Sequence, residues 1–413
     1  MEKEGVIMVN NTEFAGGKGT EESPYLIAKP KHLNNIRKHK NFKTYFKQIS
    51  DIDLSVYSNN KGWEPIGHNS NEEGFFKGVY DGNGYEISNL YIEDTENVML
   101  GLFSVIDTGL IVNVDINNSE IYGDALVGGI TGINNGYISN CNVEGSIMGN
   151  KGIGGICGIN NNIVSRSTFG GEIYGDKKIA GGIVGKNKGK IENAQCFGKV
   201  YGSEIIGGIA GGNCGEIIRS RVNNLEISGD KYLGGITGVN SKENGNNNIN
   251  NFINIKEPKI VRCWSYCDIY GKKYLGGLGS YNTEFIKESY SLSKFFAKSY
   301  LGGAAAYNSG KIENCYSVSE ISSGKYNIGG LVGYNKGDVK DSYYDKNISK
   351  MNDRGKGIPK TTEEMMLKNT FESTWQFVGQ GENILKEIWV IKEGESYPYL
   401  IWHKENIPTP KVL

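Results

Sequence analysis

The chain has 413 residues, 38% of them hydrophobic, and its 45 Lys+Arg and 46 Asp+Glu leave a formal net charge of -1. Such a balance offers no global field for nucleic acid or an anionic membrane, and no stretch approaches the roughly 18 consecutive apolar residues of a membrane span. The 59 glycines, set against only 8 prolines and lacking a collagen period, point to many tight turns and close backbone approaches around a thin, long core.

The N-terminal stretch Met1 to Phe14 lacks the basic start and apolar centre of a secretory signal. That leaves either a chain not exported by that route or one whose signal has been removed. Pro30 to Lys40 carries helix formers and Thr44 to Ile49 is strand-like; residues 1–60 are expected to form an N-terminal cap. Residues 61–346 are dominated by a repeat. In residues 347–413, Thr361 and Glu364 have capping-box spacing ahead of Met365, Met366 and Leu367. Trp375, Phe377, Trp389 and Trp402 follow, so a helical, aromatic C-terminal cap is expected. A β-solenoid needs both caps to cover its open sheet edges.

The repeat is marked by paired glycines at 128–129, 154–155, 181–182, 207–208, 234–235, 276–277, 302–303 and 329–330, spaced by 26 or 27 residues with one interval of 42. The long interval holds an Asn-rich stretch, read as a loop inserted at 241–259. Asparagine stands five residues after every pair: Asn134, Asn160, Asn187, Asn213, Asn240, Asn282, Asn308 and Asn335. Within one copy, Ile138 to Val143, Gly145 to Met148 and Ile153 to Ile159 read as short strands. The period predicts an all-β, right-handed parallel β-helix of about ten turns. With a rise of about 4.8 Å per turn, equivalent residues stack directly. The asparagines then form an amide ladder, and Ile121, Ile147, Ile173, Val200, Ile227, Ile269, Phe295 and Ile321 fill the core.

Gly-Gly-Ile-Val-Gly at Gly181 to Gly185 and Gly-Gly-Leu-Val-Gly at Gly329 to Gly333 resemble the GLUG repeat family. Tyr80 to Tyr85 with Ile87 to Leu90 is similar to the segment that leads into those repeats, and Thr361 to Met365 with Ser396 to Leu400 to the one that closes them. The likeness covers about Gly19 to Leu400 and is specific to an architecture. It implies a bacterial surface or secreted protein in which such repeats serve as stalks, adhesin modules or accessory regions beside an enzyme. Some immunoglobulin A metallopeptidases carry them. Their His-Glu-x-x-His zinc motif is absent, because none of His32, His39, His68 and His403 precedes Glu.

Chemistry-bearing residues fall mostly onto repeat columns. Cys141, Cys263 and Cys315 share a position with Ser167, Ala194, Ser220, Ser289 and Ser342, which marks an inward site for small side chains. Cys263 and Cys315 stand two turns apart, about 10 Å, beyond disulfide reach. Neither a metal site nor a cofactor is expected.

On the outward side, Tyr122, Tyr174, Tyr201 and Tyr270 share a column suited to sugar rings or a protein partner. Cross-strand stabilisation is the plainer reading of that column. Next to it, Glu226 and Asp268 should lie one turn apart, a spacing that suits a retaining glycosidase or a cation. Lys199 and Lys294 beside them fit a solvated mixed-charge face. The first expectation is a non-enzymatic structural or adhesive module, at a cell surface or secreted, that meets a glycan or protein but neither nucleic acid nor the membrane interior. A polysaccharide hydrolase or lyase using Glu226 and Asp268 is the second. An intracellular assembly or storage protein is the third.

Overall fold

The computed structural model describes residues 13–403 and 409, apart from 40–42, 68–73, 243–256, 323, 354, 372–373 and 380–386. The chain winds as a parallel β-helix in which strands pair with their equivalents one repeat away. One side is a twelve-stranded sheet that starts at Tyr25–Ile27 and ends at Asp338–Lys340. A second side has nine strands, Phe103–Ile106 through Val332–Asn335. The third carries two columns, a long one represented by Asn142–Gly149 and a short one by Lys151–Gly154. The expected ten or so turns thus fall between the strand counts of the first two sides.

Most repeats therefore hold four strands where the sequence suggests three, and in the last two the long strand is itself split, into Tyr290–Ser291 with Lys294–Phe296 and Tyr316–Ser317 with Glu320–Ile321. The run Ile138 to Val143 is split by Asn140, whose φ of 53° turns the corner between the twelve-stranded and third sides. Its counterparts Asn113, Arg166, Asn193, Arg219, Arg262, Glu288, Asn314 and Asp341 share that left-handed conformation. The run Ile153 to Ile159 is split at its paired glycines. Crowding, rather than φ, demands glycine there: a Cβ on Gly155 would lie 2.4 Å from the Gly182 carbonyl oxygen, and one on Gly182 2.1 Å from that of Gly208.

Inside, the eight asparagines join head to tail. Each Nδ2 donates to the Oδ1 of the next turn at 2.8 or 2.9 Å, from Asn134 to Asn335 without a break. The same amides serve turn backbone groups two residues on, as Asn187 does with the Gly189 carbonyl. Buried donors and acceptors are thereby satisfied where the backbone leaves the sheet. The column from Ile121 to Phe295 is fully buried, with Ile321 partly so. In the small-residue column, hydroxyls accept from the backbone N–H one turn below: Ser167 from Cys141, Ser220 from Ala194, Ser289 from Cys263 and Ser342 from Cys315.

Both ends are more entwined with the stack than separate caps. In the N-terminal region, Tyr25–Ile27, Tyr45–Gln48 and Val79–Asp81 are successive rungs of the twelve-stranded side. Helix Pro30–Asn35 and the adjoining turn Ile36–Lys38 bury Leu33 and Ile36 in the same core. Most of the 241–259 loop lies outside the described residues. At its end Lys259–Val261 pairs with Glu216–Ile218, so the expected loop stops short of Lys259 and the register survives the insertion.

At the C-terminus Ile358–Lys360 adds one more rung on Tyr343–Asp345. The Thr361–Glu364 capping box forms ahead of the one-turn helix Thr362–Met365. The tail then lies along the flank of the last four turns. There Trp264, Tyr290, Tyr316 and Tyr343 stack outward and form a second core with Met365, Phe371, Trp375, Trp389, Tyr397 and Leu400. In earlier turns the same outward column is polar, with Asn142, Thr168, Gln195 and Arg221. The aromatic residues appear only where the tail covers them. Buried Asp345 ties the strap down, its carboxylate accepting from Thr362 Oγ1 at 2.7 Å and the Tyr397 hydroxyl at 2.8 Å.

Candidate ligand-binding surface

The long strands of the third side alternate inward aliphatic and outward polar or aromatic residues, as a half-buried sheet requires. Tyr122, Tyr174, Tyr201 and Tyr270 all point outward in one column, but they do not make one platform. Tyr174 and Tyr201 stack at 5.1 Å, and Tyr270 stacks on Phe296 at 4.6 Å. Ser228 stands between the two pairs, and Met148 separates Tyr122 from Tyr174. The central hydroxyls are held by neighbouring carboxylates, Tyr174 donating to Glu172 at 2.5 Å and Tyr201 to Glu226 at 3.0 Å. The bond to Glu172 raises the Tyr174 hydroxyl above the usual phenol range; for Tyr201, burial first and then Glu226 do the same.

Glu226 and Asp268 are in register on adjacent strands. They border a cleft of about 450 Å³ whose walls include Phe197, Asn224 and Tyr266. The cleft has a local cause. Strand Arg221–Ser228 carries one extra residue, Asn224 at φ 54°, and the register shifts on both sides of it. Such a bulge bends the strand away from its neighbours and re-aims side chains. The three turns just below have no extra residue and run in register through Gly145, Gly171 and Gly198, while strand Asp115–Val127 carries an equivalent bulge at Asn118, φ 52°. Lys199 pairs with Glu172 at 3.1 Å and Lys294 with Glu320 at 3.6 Å, so each lysine beside the two carboxylates is engaged by a different acid. Among the described residues there is no cluster of three His, Cys, Asp or Glu side chains able to hold a metal ion, and no helix long and apolar enough to cross a membrane.

A second aromatic surface was not among the sequence candidates. Tyr232, Tyr274 and Tyr300 recur two residues before the paired glycines, and Tyr281, Tyr307 and Tyr334 recur immediately before the ladder asparagines. Their spacing was available as a signal, but it is confined to the last turns and so stands out less than the columns that span all eight copies.

Fold and surface together define a repeat protein of the parallel β-helix class. No family model matches the chain. It is 42% identical over 141 residues to a protein of Evansella cellulosilytica named as a Gly-rich membrane protein, a match covering 33% of this chain and 16% of that one. It is 33% identical over 141 residues to halomucin of Haloquadratum walsbyi, covering 32% of this chain and 2% of that one. The matches thus span only a small part of these relatives' length. Among solved structures, a Bacteroides ovatus protein assigned as an immunoglobulin A1 protease aligns over 94% of this chain and 95% of its own, with 20% identity and a TM-score of 0.44.

Proposed function

We propose that the chain is a non-enzymatic display module of GLUG type, a stiff rod that presents its outer columns to a glycan or protein at a cell surface or in an extracellular assembly. The observation that carries this reading is the stacking of ladder and sheets from repeat to repeat, kept on either side of the insertion. Such a rod holds equivalent side chains at fixed intervals, so weak contacts add by multivalency. The naming of the E. cellulosilytica relative as a membrane protein supports the surface location. On the third side, the Tyr174–Tyr201 pair supplies ring area for a sugar.

The test is incubation of the purified chain with a broad polysaccharide panel, scoring retained protein and released oligosaccharide together. Retention without release, weakened by Tyr174→Ala with Tyr201→Ala, is the expected result. Retention indifferent to those changes would remove the third side from the reading. The cleft opened at Asn224 favours one alternative, a polysaccharide-cleaving enzyme. Oligosaccharide release abolished by Glu226→Gln would replace the display reading with it.

A further inference from the structure

We propose that the corner where the third side meets the nine-stranded side, over the last four turns, is a binding surface for acidic polysaccharide. This rests on the display reading above and names its ligand class.

Two tyrosine stacks meet there. Tyr232 stacks on Tyr274 at 5.0 Å, and Tyr274 packs on Tyr300 at 4.3 Å. Tyr281 stacks on Tyr307 at 4.4 Å, and Tyr307 on Tyr334 at 5.8 Å. Tyr232 meets Tyr281 edge-on at 6.1 Å and joins the two. The first stack stands on an unfavourable backbone: Tyr232, Tyr274 and Tyr300 have φ of 60°, 59° and 56°, a region that bulky side chains rarely adopt. Gly152 and Asn327 occupy the same position in other turns and suit it better, while Met99 and Leu126 hold it at φ 67° and 55° with aliphatic side chains. Aromatic rings take this position in three successive turns, Tyr232, Tyr274 and Tyr300.

Lysines line the same corner. Lys231, Lys272, Lys273 and Lys298 fill the turn positions just before Tyr232, Tyr274 and Tyr300, and Lys325 the one before Asn327 in the next turn, with Asp230 the one carboxylate among those positions. Backbone N–H groups of Lys298 and Lys325 donate to the carbonyls of Lys272 and Lys298, which places these three one rung apart. Asp230 pairs with Lys272 at 2.7 Å and Glu204 with Lys231 at 3.0 Å. Lys273, Lys298 and Lys325 are exposed and form no ion pair among the described residues. The Lys273 ammonium lies 5.7 Å from the centre of the Tyr274 ring. Stacked like charges repel, and an anionic chain laid along the corner would relieve that repulsion.

The ligand class follows from the geometry. Rings packed face to face leave their edges to solvent and no gap for a base to enter, which disfavours the stacking mode of single-stranded nucleic acid. Half-buried phenols beside unpaired ammonium groups suit a chain that carries both hydroxyls and carboxylates.

The experiment is retention of the full chain on immobilised polygalacturonate, against its fully methyl-esterified form, dextran and a single-stranded oligonucleotide. Lys273→Gln/Lys298→Gln/Lys325→Gln, all at exposed positions, should weaken retention by about tenfold or more, and added salt should weaken the wild type. Esterification should abolish binding, whereas Lys311→Gln, exposed on the twelve-stranded side, should leave it intact. Equal retention of the triple variant, equal binding of the esterified polymer, no binding of the wild type to polygalacturonate, or preferred binding of the oligonucleotide would each overturn the proposal. A wild type held by another polysaccharide through Tyr174 would leave the display reading standing while this one fell. A chain that retained nothing on either panel would overturn this proposal and leave the display reading with a protein as its partner.

Discussion

Asn187 shows what a single ladder position does. Fully buried, it donates to Asn213 at 2.8 Å and to the Gly189 and Glu216 carbonyls at 3.2 Å, and it accepts from Asn160 at 2.9 Å. Leucine there would strand a buried donor below and acceptors above, each costing about 1–3 kcal/mol. Asn187→Leu is expected to lose about 3 kcal/mol or more in urea unfolding, against a smaller loss at Asn335, the half-buried end rung. A cost under about 1 kcal/mol would show that the ladder is incidental. The cysteines make a second prediction at this scale. Burial pushes the Cys141, Cys263, Cys267 and Cys315 thiols up to about 12 and raises Cys157 and Cys196 as well. Cys214 is only half-buried. Thiolate is the reactive form, so alkylation near pH 8 should mark Cys214 in the native chain and the others only after unfolding. Fast labelling of Cys141, read by peptide mass spectrometry, would mean that the turns open.

Strands and corners obey a different constraint, the distance between successive turns. A Cβ on Gly208 would sit 2.2 Å from the Gly235 carbonyl oxygen, a backbone atom at the bend one turn on. Gly212, four residues on, has open space around it. Gly208→Ala is therefore expected to cost about 3 kcal/mol as overpacking. Gly212→Ala should be neutral or slightly stabilising through the unfolded chain. Thermal melts of the pair check this, and equal midpoints would contradict the crowding account. The paired glycines were legible in the sequence as a bend because apolar residues flank them on both sides. The left-handed corner was not, since Asn, Arg, Glu and Asp all occupy it and no residue type announces it.

For the molecule as a whole, each turn leans on its neighbours, and stability is close to a sum of repeat and interface terms. The strap departs from that rule by clamping four turns at once through Trp264, Tyr290, Tyr316 and Tyr343. Deleting the chain after Lys360 should expose this aromatic column, a continuous apolar patch of the kind that drives association. Concentration-dependent oligomers in light scattering, with increased binding of an apolar dye, are the expected result. A monomeric truncation that binds no more dye than the full chain would show that the strap is dispensable.

What the sequence determined by itself was the period and everything translated along it: the ladder, the aliphatic core column, the small-residue column and the glycine bend. In a stacked helix the contact partner of a residue is the residue one period on, so spacing in sequence becomes contact in space. Tertiary structure alone decided what depends on neighbours across the period or on segments that do not repeat. The tail's place on the flank, the cleft beside the Asn224 bulge and the meeting of two tyrosine columns at one corner belong there. Lateral proximity is set by how sharply the backbone turns between strands, and a bulge or a left-handed residue alters that angle without disturbing the period.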